Sequence, residues 1–229
     1  MADTTTLATT SEIFEYRGVD NLYYAKITKD GDNYEASTPV KLAYVAEIGK
    51  TVETNSETKF YDNKPLIVLN SEGATTLTIT CAPLALDVLA EITGKAYDST
   101  NKAMVEGVRD FGRNFALGYR TRDTRGLYRY VWYLKGSFGV PDETFATENA
   151  GTETNNMSLT YTAVMTEHEF AEKIGENTAG SVKSIVVADE AESQIDKEKF
   201  FKAVITPANL KRDDLKVSTT TTGGDTSGT

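Results

Sequence analysis

Hydrophobic residues recur at every second position in the middle of the chain. Phe115, Leu117 and Tyr119 share one face of an extended segment. The next segment repeats the pattern with Tyr128, Tyr130, Trp132 and Leu134. The polar stretch Thr121–Gly126 lies between them, and alternation on both sides of a glycine-containing turn predicts a β-hairpin. We expect this hairpin, within Phe111–Val140, to form the centre of a β-rich domain.

Other segments of the chain are also typical of strands. The pattern predicts strands over Asn21–Thr28, Pro65–Leu69, Thr75–Ala82, Asn156–Val164 and Ser181–Ala188, with turns at Lys29–Asn33 and Ser71–Ala74. We expect Asn156–Val164 to pair antiparallel with the Tyr128–Phe138 strand. In Thr75–Ala82 the alternation turns Cys81 inward, so this residue is interpreted as a small core residue and not as a nucleophile.

Helical spacing is clearest in Pro83–Thr93. A proline suits the first turn of a helix, and Gly94 is suited to the position that ends it. Shorter helices are predicted over Glu167–Ile174 and Glu192–Val204. The chain therefore predicts a mainly β fold, a β-sandwich or barrel flanked by one helix and carrying extended arms and loops.

Polar segments suggest how the chain is divided. Residues 1–12 are interpreted as a flexible arm, 13–165 as the β-sandwich domain, 166–216 as a C-terminal extension with a helix and a strand, and 217–229 as a disordered tail. Within the domain, Gly49–Asn63 is polar and carries Phe60 and Tyr61 side by side. It is predicted to be either a mobile loop or a contact loop ordered by another chain.

Composition and motifs argue against several functions. The formal net charge of −10 makes tight, sequence-independent binding of nucleic acid a poor hypothesis. One cysteine and one histidine, His168, allow no internal disulfide and no cysteine-based zinc cluster, and we expect His168 to lie exposed on a helix. No phosphate-binding, metalloprotease or serine-hydrolase motif occurs. The prediction is a protein without catalytic residues, cofactor or metal.

The sequence also bears on where the protein is made. The N-terminal residues show neither the basic nor the apolar region of a signal peptide, and no apolar run reaches the length of a membrane span. We therefore expect synthesis in a cytoplasm and no membrane partner.

Arginine is concentrated around the predicted hairpin. The hairpin region carries Arg109, Arg113, Arg120, Arg122, Arg125 and Arg129. One hypothesis is contact with nucleic acid. The favoured hypothesis is that Arg120, Arg122, Arg125 and Arg129 form ion pairs with an acidic surface of a neighbouring subunit, because arginine is favoured in interface ion pairs. The candidate partners are the acidic segments Glu143–Glu153 and Gly49–Asp62.

Several segments together resemble a protein family. They are Gly18–Thr28 (GVDNLYYAKIT), Thr38–Ile48 (TPVKLAYVAEI), Ser56–Leu66 (SETKFYDNKPL) and Leu77–Lys95, followed by the central hairpin and Asn156–Val164. In this order they resemble the major tail, or tail tube, proteins of long-tailed, non-contractile phages of Gram-positive bacteria. The resemblance covers roughly 13–165 and consists of weak motifs.

The resemblance implies a function and a set of partners. It implies a structural protein of the virion tail, made in the bacterial host, that assembles into hexameric rings stacked into a hollow tube. Double-stranded DNA would pass through transiently, and tape measure, tail terminator and distal tail proteins would be partners. By analogy, Gly49–Asn63 becomes the ring-stacking loop, with Thr54, Glu57, Phe60, Tyr61 and Asp62 as contact residues.

A second function class stays open at this point. A carbohydrate- or cell-surface-binding β-sandwich would use exposed aromatic residues, for which Tyr23, Tyr61 and Tyr128 are candidates. An enzyme is the least favoured class because no acid–base or nucleophile set stands out.

Overall fold

Strands make up most of the structure, a computed structural model that describes residues 13–107, 112–143, 145, 156–189 and 194–217. The strands are β1 (Tyr16–Asp30), β2 (Tyr34–Ala36), β3 (Val40–Ala43), β4 (Val45–Tyr61), β5 (Lys64–Cys81), β6 (Ala96–Asp98), β7 (Ala103–Val105), β8 (Phe115–Asp123), β9 (Tyr128–Phe138), β10 (Met157–Val164), β11 (Phe170–Ile174), β12 (Asn177–Gly180) and β13 (Ser184–Ala188). The helices are α1 (Leu86–Thr93), α2 (Lys197–Phe200) and α3 (Arg212–Leu215). The predicted mainly β class is confirmed.

One antiparallel sheet contains the longest strands. Its order is β2-β1-β8-β9-β10-β5-β4, with β13 also paired to β9 and β3 to β1. The predicted central hairpin is confirmed as β8 and β9, and Gly126 adopts a left-handed φ of 89° in its turn. The predicted pairing of β10 with β9 is confirmed as well.

The sheet folds over so that its two halves enclose one core. Leu77 and Ile79 of β5 and Tyr161 of β10 lie in the same buried cluster as Phe115 and Leu117 of β8. The Tyr161 hydroxyl reaches over Gly136 of β9 and donates a hydrogen bond of 2.7 Å to the Phe115 carbonyl, which links β10 to β8. We call this buried cluster the first core.

Helix α1 packs beside the first core, where sequence reasoning placed it. Ile92 is buried in this core, and Gly94 ends the helix with a left-handed φ of 70°. The Tyr24 hydroxyl of β1 donates to Glu91 Oε2 at 2.7 Å, which fixes the helix against the sheet.

The opposite face of β8 and β9 is covered by the C-terminal segment. Tyr130 and Trp132 of β9 are buried there against Phe200 and Phe201, in what we call the second core. The Trp132 indole N–H donates to the Phe200 carbonyl, and Tyr23 of β1 stacks on Phe201 with ring centroids 4.7 Å apart. The C-terminal segment therefore completes the fold, because it removes a row of large aromatic side chains from water.

Three predicted elements are wrong. The predicted loop Gly49–Asn63 and turn Ser71–Ala74 are parts of β4 and β5, which run as one long hairpin. The segment predicted as a helix over Glu167–Ile174 contains β11, because Phe170 is buried in the second core and the chain returns through Gly175 at φ 65°. Of the predicted helix Glu192–Val204, the described residues 194–204 are α-helical only over α2, which the Asp196 side chain caps by accepting from Glu198 N.

Several further predictions concern segments that lie wholly or partly outside the described residues. The flexible arm, residues 1–12, lies there, as does the tail from residue 218 onward. The acidic segment Glu143–Glu153 is described only at residues 143 and 145. Of the arginines, Arg109 also lies outside the described part of the chain.

A buried ion pair joins β9 to the end of β1, and its carboxylate also binds the start of the C-terminal segment. Lys135 Nζ lies 2.7 Å from Asp30 Oδ2, and both side chains are buried. Asp30 also accepts hydrogen bonds from the backbone N–H groups of Glu167 and His168. Burial alone would raise the pKa of Asp30, but these donors and Lys135 together hold it below its usual value.

Asp30→Asn should lower the free energy of unfolding at pH 7 by about 2 kcal/mol, because Lys135 loses its buried counter-charge and keeps only the exposed carboxylate of Glu167. A carboxyl whose pKa is lower in the folded state stabilises the fold above its unfolded pKa of about 3.9, and this contribution disappears as the pH falls through the folded value. The difference between the two proteins should therefore shrink at pH 3. Urea denaturation followed by Trp132 fluorescence measures it.

Asp32→Asn is the matched control, since Asp32 is exposed in the same turn. It should change the unfolding free energy little at either pH. An effect of Asp30→Asn that is equally large at pH 7 and pH 3 would contradict the assigned role of this carboxylate.

Candidate assembly surfaces

The distal part of the β4–β5 hairpin projects from the sheet as a two-stranded ribbon. β5 pairs with β10 from Thr75 to Cys81, but from Lys64 to Glu72 it pairs only with β4. We call residues 54–72 the ribbon. At roughly 3.3 Å per residue, Lys64 to Glu72 is about 25 Å long.

A two-residue turn closes the ribbon. Asp62 and Asn63 have φ values of 49° and 59°, and Tyr61 pairs directly with Lys64. Two consecutive residues with positive φ are the mark of a type I′ turn, whose twist matches that of the flanking strands. Aspartate and asparagine tolerate this conformation better than most residues, so the sequence DN supports a tight hairpin here.

The ribbon exposes a run of apolar residues. The exposed fractions are 64% for Leu66, 44% for Ile67, 58% for Val68 and 51% for Leu69. Successive residues of a strand point to opposite faces, so Val68 lies on one face while Ile67 and Leu69 lie on the other. A strand that is apolar on both faces is typical of a buried position in a sheet, and nothing among the described residues covers this one.

The ribbon also leaves backbone groups open. β4 is the last strand in the order of the sheet, and within the described chain β4 is the single strand that pairs with Lys64–Glu72 of β5. Strand edges of this kind are templates for pairing with another chain, particularly where the strand is long and apolar. The ribbon therefore offers apolar faces and free edges together.

The predicted contact residues lie on this ribbon. Thr54, Glu57, Phe60, Tyr61 and Asp62 are all exposed, and the exposed fractions of the two aromatic residues are 66% and 53%. The structure therefore brings the five residues together on β4 and its turn. Their role as contacts with another ring stays a prediction.

Arg120, predicted to pair with a neighbouring subunit, has a partner in its own chain. Its Nε and Nη2 atoms donate to the two carboxylate oxygens of Asp20, both at 2.7 Å. The guanidinium also lies 3.9 Å from the ring centroid of Tyr128. Burial alone would raise the pKa of Asp20, but the pair with Arg120 holds it below its usual value. The register of β1 with β8 places Asp20 opposite Arg120 and produces this pair.

The other arginines differ from one another. Arg125 donates to Asp123, a buried carboxylate that also accepts from the Leu127 backbone N–H within the β8–β9 turn. Arg122 is exposed and lies 5.6 Å from the Tyr128 ring, while Arg129 lies 4.9 Å from the Tyr16 ring. Arg120 and Arg125 thus stabilise their own subunit. A contact with a neighbouring subunit stays a prediction for all four arginines and is best supported for Arg122.

Cys81 and His168, the residue types most often used in catalysis or metal binding, both make contacts typical of structural residues. Burial raises the pKa of the Cys81 thiol to about 11, so the thiol stays protonated near neutral pH. His168 is half-buried, with Nδ1 2.8 Å from the Gly31 carbonyl oxygen, and is not on a helix. In the described part of the chain, no group of three His, Cys, Asp or Glu side chains could hold a metal ion.

None of the helices in the described ranges is both long enough and apolar enough to cross a membrane.

Sequence reasoning missed Leu66, Ile67, Val68 and Leu69 as functional candidates. The apolar residues after Pro65 predict a strand, but they do not reveal whether anything covers it. A signal was present in the neighbouring residues. The polar segment 54–59 and the DN turn together predict a hairpin with one polar and one apolar strand.

Arg120→Gln should lower the free energy of unfolding by about 1 kcal/mol, because it removes a bidentate pair whose carboxylate is half exposed. Arg122→Gln, at an exposed position two residues away, should change it by less than about 0.5 kcal/mol. Urea denaturation followed by Trp132 fluorescence measures both. An equal cost for the two substitutions would show that Arg120 is not the structural member of the group.

Comparison with known proteins identifies no family for this chain. No protein-family model matches it, and no curated protein sequence matches it. Any inference about its function therefore rests on the surfaces and contacts described above.

Proposed function

We propose that the chain is a structural subunit that assembles with copies of itself into stacked rings and forms a tube, as the phage tail tube proteins it resembles do. The ribbon is the observation that carries this proposal. It is long, closed by a tight turn, apolar on both faces of one strand and free at its edges. A subunit that works alone would gain nothing from keeping such an element in water.

The energetics of the ribbon support a role in assembly. An isolated two-stranded hairpin is marginally stable in water, since it lacks a third strand or a packed face. Burying an exposed leucine, isoleucine or valine side chain contributes about 1.5 to 3 kcal/mol, so the run 66–69 could supply several kcal/mol to an interface. That contribution becomes available only when another surface covers the ribbon.

Charge favours a second copy of the chain as the covering surface. The protein carries a net charge of −10, so random contacts between copies are repulsive. Within residues 54–69, Lys59 and Lys64 balance Glu57 and Asp62, which makes the distal ribbon neutral. Docking through this element therefore avoids most of the self-repulsion of the chain.

An acidic subunit also suits a tube for DNA. A channel that lets duplex DNA slide must not bind phosphate, and a surplus of carboxylates opposes such binding. The hexameric ring, the location in the virion tail and the tape measure, terminator and distal tail partners come from the family resemblance and are proposed on that basis.

The alternative, a carbohydrate- or cell-surface-binding module, is less well supported because two of its three candidate aromatic residues are half-buried. Tyr23 is half-buried and stacked on Phe201, and Tyr128 is half-buried beneath the Arg120 guanidinium. Of the three candidates, Tyr61 is the one with an exposed ring, and it lies on the ribbon. These positions do not form an aromatic platform for a sugar.

The double substitution Ile67→Thr and Val68→Thr tests the proposal. Threonine is β-branched and keeps the strand, but it removes apolar surface from both faces of the ribbon. The critical concentration for assembly, measured by sedimentation and electron microscopy, should rise by at least about tenfold, which corresponds to about 1.4 kcal/mol. The melting temperature of the unassembled subunit should stay unchanged because both positions are exposed.

Val105→Thr is the matched control. Val105 is 60% exposed on β7 and lies outside the ribbon, so this substitution should leave the critical concentration unchanged. A wild-type protein that stays monomeric at every concentration, or a ribbon variant that assembles as well as the wild type, would contradict the proposal.

A further inference from the structure

We infer that Lys183 is a positioning residue that sets the direction in which the ribbon leaves the sheet. Its side chain is only 9% exposed, and its Nζ lies 3.0 Å from Glu72 Oε1 and 2.7 Å from the Gly73 carbonyl oxygen. Glu72 and Gly73 are the residues at which β5 has parted from β10, since the last pair between those strands joins Thr75 to Ala163. The ammonium group thus holds the base of the ribbon.

The base of the ribbon is a point where the hairpin can bend. The register of β4 against β5 shifts between Val52 and Thr54. Val52 pairs with Thr75 and Thr54 with Glu72, so Gly73 and Ala74 of β5 oppose Glu53 alone, as in a β-bulge. The side chain of Glu53 lies over Gly73, where a Cβ atom would come within 2.8 Å of Glu53 Oε2. A glycine in a bulge, with no side chain of its own to pack, weakens the pairing of the hairpin at this place.

Lys183 itself is anchored to the body of the subunit. Its carbonyl oxygen accepts a hydrogen bond of 3.0 Å from the Leu134 backbone N–H of β9. The preceding residue, Val182, donates to Thr166 Oγ1 at 2.9 Å and accepts from the Thr166 backbone N–H at 3.2 Å. The donor is therefore rigid, while its two acceptors belong to the element that could move.

Both acceptors of the Lys183 ammonium lie at the base of the ribbon. If the ribbon swung away, the ammonium would lose both of them, and hydrogen bonds to a charged group are stronger than those between neutral groups. The observed direction of the ribbon keeps both contacts, whereas other directions break them. The consequence for assembly, which rests on the proposed function, is that Lys183 preorganises the ribbon and so reduces the entropy lost on docking.

Spin-label distance measurements test this inference on the unassembled subunit. Labels are attached at Thr58→Cys on the ribbon and Lys202→Cys on the body, both exposed positions, while the native Cys81 is buried and its thiol protonated. At a concentration below assembly, the wild-type background should give one narrow distance distribution. Lys183→Met should give a broad one, with unchanged near-ultraviolet circular dichroism.

Two more variants complete the experiment. Lys173→Met removes an exposed lysine from β11 of the same C-terminal segment and should keep the narrow distribution. Glu72→Thr removes one acceptor at a position that is 62% exposed, so it should fold even if Lys183→Met does not, and it should broaden the distribution partially. An equally narrow distribution in Lys183→Met and the wild type would overturn the inference, as would an unchanged one in Glu72→Thr if Lys183→Met fails to fold.

The same variants separate this inference from the proposed function. If the wild type assembles, Lys183→Met should raise the critical concentration while Lys173→Met does not, and equal critical concentrations for the two variants would reject the link to assembly. If the wild type never assembles, the proposed function fails, yet the distance distributions still decide whether Lys183 fixes the ribbon.

Discussion

The main physical constraint on this molecule is an apolar strand that nothing in the described subunit covers. The ribbon holds Leu66, Ile67, Val68 and Leu69 in water on both faces of a two-stranded element. Apolar surface of this kind tends to be buried, and a lone hairpin cannot bury it. In the assembly that we propose, another chain supplies the missing layer.

Most of the other long strands that the structure describes bury apolar side chains in one of the two cores. The first core fills the space between the two halves of the folded sheet, and the C-terminal segment covers the second face through Phe200 and Phe201. Buried charges such as Lys135 and Asp30 have partners within the subunit. The ribbon differs from the described body of the subunit in keeping the unbroken apolar run 66–69 exposed.

Sequence patterns predicted the elements whose residues alternate or recur against a core. The central hairpin was evident from its aromatic residues, and α1 was evident from helical spacing and Gly94, although it begins at Leu86 and Pro83 precedes it instead of lying in its first turn. The strand within Gly49–Asn63 was missed because a strand without a covered face shows no burial alternation. Its nature depends on the pairing with β5, and its DN turn was the one local signal.

Long-range partners could not be predicted for a different reason. Arg120 meets Asp20 through the register of β1 and β8, and Lys183 meets Glu72 across 111 positions of the sequence. No local pattern specifies a register or a crossing of this kind. The arginine-rich sequence therefore favours contact with a neighbouring subunit, although Arg120 and Arg125 pair with carboxylates of their own subunit.

Electron cryomicroscopy of the concentrated protein tests the central claim most directly. The account predicts tubes of uniform diameter in which the ribbon of each subunit is buried against another copy of the chain, with the run 66–69 inside the contact. Particles that remain monomeric at high concentration, or an assembly that leaves the ribbon in solvent, would contradict it.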